Sequence, residues 1–401
     1  MKFSQILIYL LPLALVTGPL IPEIIIIIIS LNIIIISFLK KNLDLFKNEF
    51  SIFFLIFYIL INISSIFSEN ILISLQTSLP YCRYYFFVIG IVYLIKNEKK
   101  FISNLFYSLL FTMIIVSLSG YLEFFFDFNP LIEKKIVQHR ISGLFGDELI
   151  IGSFLSRLLP LLLICYVFIK DEKINKNIIF LTFLFIYLCI VFSGERTSVF
   201  FSIITIFTII VIFGENIFKK IVLFFIFFSF TIALIFSNQI LFDRIFKETN
   251  NQIFENKKIN IFSKEHTSHY QTAYKMFLDN PILGHGPKSF RIICNDKKYY
   301  KNIHSCTTHP HNTYLQLLAE TGLISTLMVF FIFILNSFFY TKYLFKSIKN
   351  INQISFYLPF IITLFPFVPN GNFFNNWLSI VSYLSVSVSV YFIFYKKNFN
   401  V

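Results

Sequence analysis

Residues 24–39 read IIIIIISLNIIIISFL, an apolar run with no charged side chain, bounded by Glu23 and Lys40. A helix built from it is hydrophobic all round, and its length approaches the roughly 20 residues that cross the hydrocarbon core of a bilayer. The neighbouring runs LIYLLPLALVTGPL (7–20) and IFFLIFYILINISSIF (52–67) repeat the pattern across short polar links. Of the 401 residues 56% are hydrophobic and 14% charged, so a soluble globule would expose far too much apolar surface. The expected fold class is therefore all-α, a polytopic membrane protein with about 12 transmembrane helices.

Hydropathy sets these spans near 5–21, 24–39, 50–67, 75–95, 101–125, 149–169, 177–193, 198–213, 221–236, 314–340, 354–368 and 376–395. The first run follows Lys2 without a small-residue cleavage site and is read as a retained span. With the N-terminus in the cytoplasm, every inside link carries lysine, whereas the outside links GPLIPE, SENILI and PNGNFF carry neither lysine nor arginine. The net charge of +13 is then a matter of topology, and no nucleic-acid partner is expected. No phosphate loop, CxxC pair or repeat is visible, which argues against nucleotide-driven and zinc chemistry.

Two outside segments break the charge pattern, 127–148 and 237–313. The organisation expected is spans 1–9 over 1–236, a large periplasmic loop over 237–313, and spans 10–12 over 314–401. Within the large loop, HTSHYQTAYKMFLDNP sets His266, Tyr270, Ala273, Tyr274, Phe277 and Leu278 at helical spacing, stopped by Asn280-Pro281. An amphipathic helix on the membrane surface is expected, either covering the spans or touching substrate. Cys294 and Cys306 fall on the oxidising side of this topology, and a disulfide between them would anchor the segment that follows. Cys82, Cys165 and Cys189 read as apolar fillers inside spans.

That following segment is HPHNTYLQLLAETGLIS, 309–325. Pro310 reads as a first-turn residue capped by Thr308 or His309, with a helix running unbroken to about Tyr340. Thirty-one residues at 1.5 Å each give about 46 Å against roughly 30 Å of hydrocarbon, so the first turns project outward. Asn312, Gln316 and Glu320 recur every four residues as a polar stripe. A helix N-terminus favours a bound anion and lowers the pKa of a nearby histidine, so a neutral His311 can accept a proton while the helix end holds a phosphate. The plainer alternative is a capping cluster with no chemistry.

Arginine inside a span costs about 2.5–3.5 kcal/mol and needs a partner or a polar cavity. Arg83 and Arg157 are such residues; Arg83 fits a ligand or a structural ion pair equally. Arg196 stands at an outer boundary and could bind phosphate oxygens bidentately, snorkel, or pair with Glu195. The 127–148 link offers Lys134, Lys135, His139, Arg140, Asp147 and Glu148, and reads first as a solvated loop. In the basic cluster Lys288, Arg291, Lys297, Lys298 and Lys301, Arg291 is kept as a candidate contact.

Taken together, HPHNTYLQLLAETGLIS, NPILGHGPKSF (280–290) and SGERTSVF (193–200) resemble the bacterial O-antigen ligase and polymerase superfamily of membrane glycosyltransferases. The resemblance implies transfer of a glycan from an undecaprenyl pyrophosphate carrier, at the periplasmic face of the inner membrane, to a hydroxyl of a lipid A core or of a growing chain. It implies no metal, no nucleotide sugar and no other cofactor. By motif, His311 matches the catalytic histidine and Arg196 a pyrophosphate-binding arginine, with Arg157, Arg291, Asn312, His309 and Arg83 as further candidate substrate contacts. The family often has an arginine and a tryptophan before the amphipathic helix, where this chain has His266, His269 and Tyr270. Ligase and polymerase share a donor and differ in acceptor. From another class, a transporter of a lipid-linked or anionic solute would also use intramembrane arginines, but repeats in two halves are not visible.

Overall fold

The computed structural model describes residues 2–40, 44–129, 140–169, 175–214, 216–254, 262–300, 302–345 and 348–396. Lys134, Lys135, His139 and Lys301, named above, lie outside the described residues. Within them the chain is helical and has no strand. Among the described residues nine helices are long and apolar enough to cross a membrane: Leu20–Lys40, Glu49–Ile66, Ile71–Asn97, Phe101–Phe126, Ile151–Phe168, Arg196–Phe213, Ile217–Ser237, Thr313–Leu344 and Asn376–Tyr395. Two shorter apolar helices, Lys2–Thr17 and Lys176–Phe192, stand where the first and seventh spans were expected. The all-α, multi-pass expectation is met.

The expected span at 354–368 does not form as one helix. A 3-10 segment, Ile348–Tyr357, is followed by only six residues of α-helix, Leu358–Thr363. Pro366 and Pro369 then supply no N–H and push their predecessors out of the helical region, so the chain runs irregularly into the next helix.

The bundle is built around Asn376–Val390, which packs on the helices containing Arg83 and Arg157. Its serines 379, 385, 387 and 389 are buried, small enough to let neighbouring backbones approach, and the Ser385 hydroxyl donates to the Arg157 carbonyl at 3.0 Å. At the other extreme, Ile217–Ser237 buries only Phe227 and Thr231 and turns its phenylalanines and isoleucines outward, as a lipid-facing helix does.

The expected unbroken helix after Pro310 is corrected twice. It starts at Thr313, capped by Asn312, whose Oδ1 accepts from the N–H groups of Tyr314 and Leu315 at 3.0 and 3.1 Å. Pro310 stays outside because His311 takes the left-handed conformation, φ 57°, and turns the chain before the first helical residue. The helix is also broken at Gly322, φ 76°. There the stretch 281–286 runs alongside: His285 and Gly286 donate from their backbone to the carbonyls of Ala319 and Glu320 at 3.0 and 2.7 Å, and Leu323 donates to Pro281 at 2.8 Å. A Cβ on Gly322 would meet the Ile282 carbonyl oxygen at 2.0 Å, so only glycine permits this approach.

The 237–313 segment contains the expected helix, Lys264–Asp279, and a core of its own in which Ala273, Met276, Phe290, Ile293, Cys294 and Tyr299 close around Ala319. Cys294 and Cys306 form a disulfide with their Cα atoms 5.1 Å apart.

Candidate active site

Four helices begin at one end of the bundle, at Ile151, Arg196, Thr313 and Asn376, and bring the positive ends of their dipoles together. Glu195 ties the first two, accepting from the Gly152 N–H at 2.9 Å. Thr197 reaches the Pro369 carbonyl at 3.4 Å and so adds the turn before Asn376.

His311 sits in this convergence. Because its backbone is left-handed, its carbonyl meets the Asn370 N–H at 2.9 Å. Three other imidazoles surround its ring, with centroid separations of 4.1 Å to His309, 5.4 Å to His269 and 5.5 Å to His266. His266 and His269 come from Lys264–Asp279, whose N-cap Ser263 accepts from the His266 N–H. The Thr308 hydroxyl meets His309 Nδ1 at 2.9 Å.

Burial, then the His309, His266 and His269 rings, hold the His311 pKa down at about 3. His269 and His309 are lowered to about 4, chiefly by burial, and His266 is lowered by burial and by the Arg196 charge against the pull of Glu265. His311 is neutral at pH 7 as expected, but burial and like neighbours are the causes here. His269, 7% exposed, has Nδ1 without a hydrogen-bond partner, as does the Tyr270 hydroxyl. The orphaned His269 nitrogen, on a ring that packs against His311, and the orphaned Tyr270 hydroxyl, on a ring that stacks on His266, fit a site that receives polar ligand atoms.

Arg157 joins the cluster through Asn370. Its Nη2 donates to Asn370 Oδ1 at 2.6 Å, and Asn370 Nδ2 donates to the Thr313 hydroxyl at 3.1 Å. Arg196 donates from Nη1 to Thr249 Oγ1 at 2.7 Å and Gln252 Oε1 at 2.9 Å. Glu195 does not pair with it, meeting Arg140 at 3.7 Å instead. Arg140 and Arg244 lie in the electrostatic field of Arg196. This end of the bundle is therefore rich in guanidinium groups, with Glu195 and Glu248 as counter-charges.

The other candidates fall in three places. Asn312 caps the helix and donates from Nδ2 to the Pro366 carbonyl at 2.8 Å, so its side chain is spent on structure. Arg291 is exposed on the short helix Phe290–Ile293, near enough for its charge to reach His309. Arg83 has the ion pair that its sequence context left open: Nη2 meets Glu23 Oε1 at 2.5 Å, binding Leu20–Lys40 to the next helix but one. The polar stripe faces inward, with Gln316 bonded to Glu320 and Asn372 at 2.9 Å each and Glu320 accepting from the Phe290 N–H at 3.1 Å.

The residue that sequence reasoning missed is Asn370. PNGNFF reads as a charge-free link, and the one signal in it is asparagine at a density no simple turn requires.

Among the described residues no group of three or more histidine, cysteine or acidic side chains is arranged to hold a metal ion. Residues 180–355 match the family model described as O-antigen ligase, a stretch that includes Arg196, Arg244, the four clustered histidines and Asn312 but leaves out Arg157 and Asn370. No curated protein matches the chain.

Proposed function

We propose that this chain is a member of the O-antigen ligase and polymerase superfamily and an inner-membrane glycosyltransferase that moves a glycan from an undecaprenyl pyrophosphate carrier to an acceptor hydroxyl on the periplasmic face, a reading supported by the family match over residues 180–355. The observation that carries the reading is the union, through Asn370, of an intramembrane guanidinium with the His311 backbone inside a cluster of neutral imidazoles.

In the reaction the acceptor oxygen attacks the anomeric carbon and its proton passes to His311. The bond from that carbon to the diphosphate oxygen breaks, and the charge left on the diphosphate is met by Arg157 and Arg196. A single displacement of this kind inverts the anomeric configuration. A base with a pKa near 3 is weak in the free site, but a diphosphate close to the ring supplies the opposite charge that raises it. Donor binding thus readies the base. Arg83, already paired with Glu23, has no role in this scheme, and Arg291 is positioned to meet the glycan or the lipid headgroups.

The assay is purified protein in detergent with a lipid-linked glycan and, separately, a lipid A core or a second lipid-linked chain as acceptor. Transfer without a sealed compartment supports an enzyme over a transporter, and the acceptor used separates ligase, the reading preferred here, from polymerase. His311→Ala should lower the rate by about 10²–10⁴-fold; a variant at wild-type rate ends the base assignment.

A further inference from the structure

Lys288 takes the left-handed conformation, φ 61°, which asparagine and glycine adopt readily and lysine does not. Its backbone is fixed from both sides by one residue. Gly286 donates to the Glu320 carbonyl at 2.7 Å, and the Phe290 N–H donates to the Glu320 carboxylate at 3.1 Å. Burial, then the Arg291 and Arg83 charges, hold the Lys288 pKa below the ordinary lysine value, against the pull of Glu320 and Glu23. Both acids are engaged elsewhere. Glu23 holds the Arg83 guanidinium at 2.5 Å, and Glu320 also accepts from Gln316 Nε2 at 2.9 Å. Among the described residues no hydrogen bond or ion pair engages the Lys288 ammonium or the Arg291 guanidinium, and the buried Ser289 hydroxyl also lacks a partner. A partly buried cation needs an anion, and the protein does not supply one here.

These cations are distinct from those around Arg196. The strongest charges acting on Arg196 are Arg244, Glu248 and Arg140, and its own charge reaches His266. Arg291 reaches His309 instead. His311 packs against both rings, so each set of cations meets the cluster at its own imidazole.

We propose that Lys288, with Arg291, binds a phosphate carried by the acceptor, a site that rests on the transferase reading above. In a single displacement the attacking oxygen and the leaving diphosphate stand on opposite faces of the anomeric carbon. Arg157 and Arg196 meet the diphosphate, so a separate set of cations beside the base serves the molecule that brings the hydroxyl. Both classes of acceptor carry phosphate, lipid A as esters on its sugars and a lipid-linked chain as its diphosphate. Lys288 offers a compact charge with three donors, and the exposed Arg291 extends the site outward with a guanidinium fork. Arg83 stays with Glu23 and contributes only its field.

The test is steady-state transfer by the full chain in detergent with two pairs of acceptors: lipid A core with and without its phosphates, and a lipid-linked glycan against the same glycan on a neutral alkyl chain. The pair that responds identifies the source of the phosphate. Lys288→Asn, which suits the left-handed backbone, should raise the KM of the phosphate-bearing acceptor by at least about tenfold and that of its phosphate-free partner by less than about twofold, with the donor KM unchanged. Arg291→Gln should act in the same direction, and Lys288→Arg, which keeps the charge, should keep the preference. An equal rise for both members of a pair overturns the proposal, as does a rise in the donor KM, a preference intact in both neutral variants, or an arginine variant as impaired as the asparagine one. A rise that follows phosphatidylglycerol in the micelle instead of the acceptor's phosphate assigns the charge to lipid headgroups and also overturns it.

Calorimetric titration without donor gives a readout independent of turnover. In the responding pair the phosphate-bearing acceptor should bind wild type with a Kd at least about tenfold below that of its phosphate-free partner, and Lys288→Asn should lose the difference. If this difference appears yet no acceptor is glycosylated, the transferase reading fails while the phosphate site stands. If transfer occurs and the acceptor's phosphate changes neither KM nor Kd, the phosphate site alone is lost.

Discussion

Arg157 and His311 are held to a single residue, Asn370, which accepts from the Arg157 guanidinium at 2.6 Å with its side chain and donates to the His311 carbonyl at 2.9 Å with its backbone. Removing only the side chain should leave a buried guanidinium without that acceptor. Asn370→Ala is expected to destabilise by about 1.5–3 kcal/mol and to slow transfer. The double variant Arg157→Met, Asn370→Leu should recover most of the Tm without recovering activity, because both polar partners are gone. Recovery of activity in the double variant would mean the pair is structural only.

Acid should weaken the protein through its histidines. Their folded pKa values lie below the ordinary histidine value, near 4 for His269 and His309 and near 3 for His311, so the unfolded chain binds more protons between about pH 6.5 and pH 3. Stability from these groups is present above pH 6.5 and is lost as pH falls toward 4. His269→Gln should flatten the fall in Tm over this window; an unchanged slope would show that the four rings do not govern it.

Gly322→Ala should be among the most damaging single-methyl changes in the chain, since it meets both a left-handed backbone and an Ile282 oxygen at 2.0 Å. A loss of more than about 2 kcal/mol is expected, read as a fall in Tm and in folded yield. By contrast, no heavy atom lies within 4 Å of a Cβ placed on Gly146, whose φ of 62° leaves backbone strain as the whole cost, so Gly146→Ala is the control that separates strain from the clash at Gly322.

The disulfide closes a loop of sequence separation 12, which constrains the unfolded chain by about 3 kcal/mol in the chain-entropy account. Cys294→Ser with Cys306→Ser should therefore lower the Tm, and a reductant should lower that of the wild type but not of the double variant. Free labelling of both thiols in unreduced protein would contradict the pairing.

How much of this was legible depended on range. The isoleucine run and the lysine links fix spans through local composition, and Arg157 announces itself as a charge among leucines. His266 and His269 were visible as one region of an amphipathic helix, but their approach to His311 depends on how Lys264–Asp279 packs on Thr313–Leu344. Arg83 could not be assigned because Glu23 lies at the start of a different helix. The helix start was displaced from Pro310 to Thr313 because a proline that suits a first turn also suits the turn before it, and only the His311 backbone decides between them. The expected span at 354–368 failed on its prolines, whose effect hydropathy averages away.

The backbone bonds across Gly322 make residues 281–286 and 319–323 a single piece, although one precedes the histidine segment and the other follows it. Chimeras that exchange the large loop between relatives will separate the halves of this piece if they are joined at residue 313. A crossover placed after residue 323 transplants it whole, and with it the geometry that presents His311.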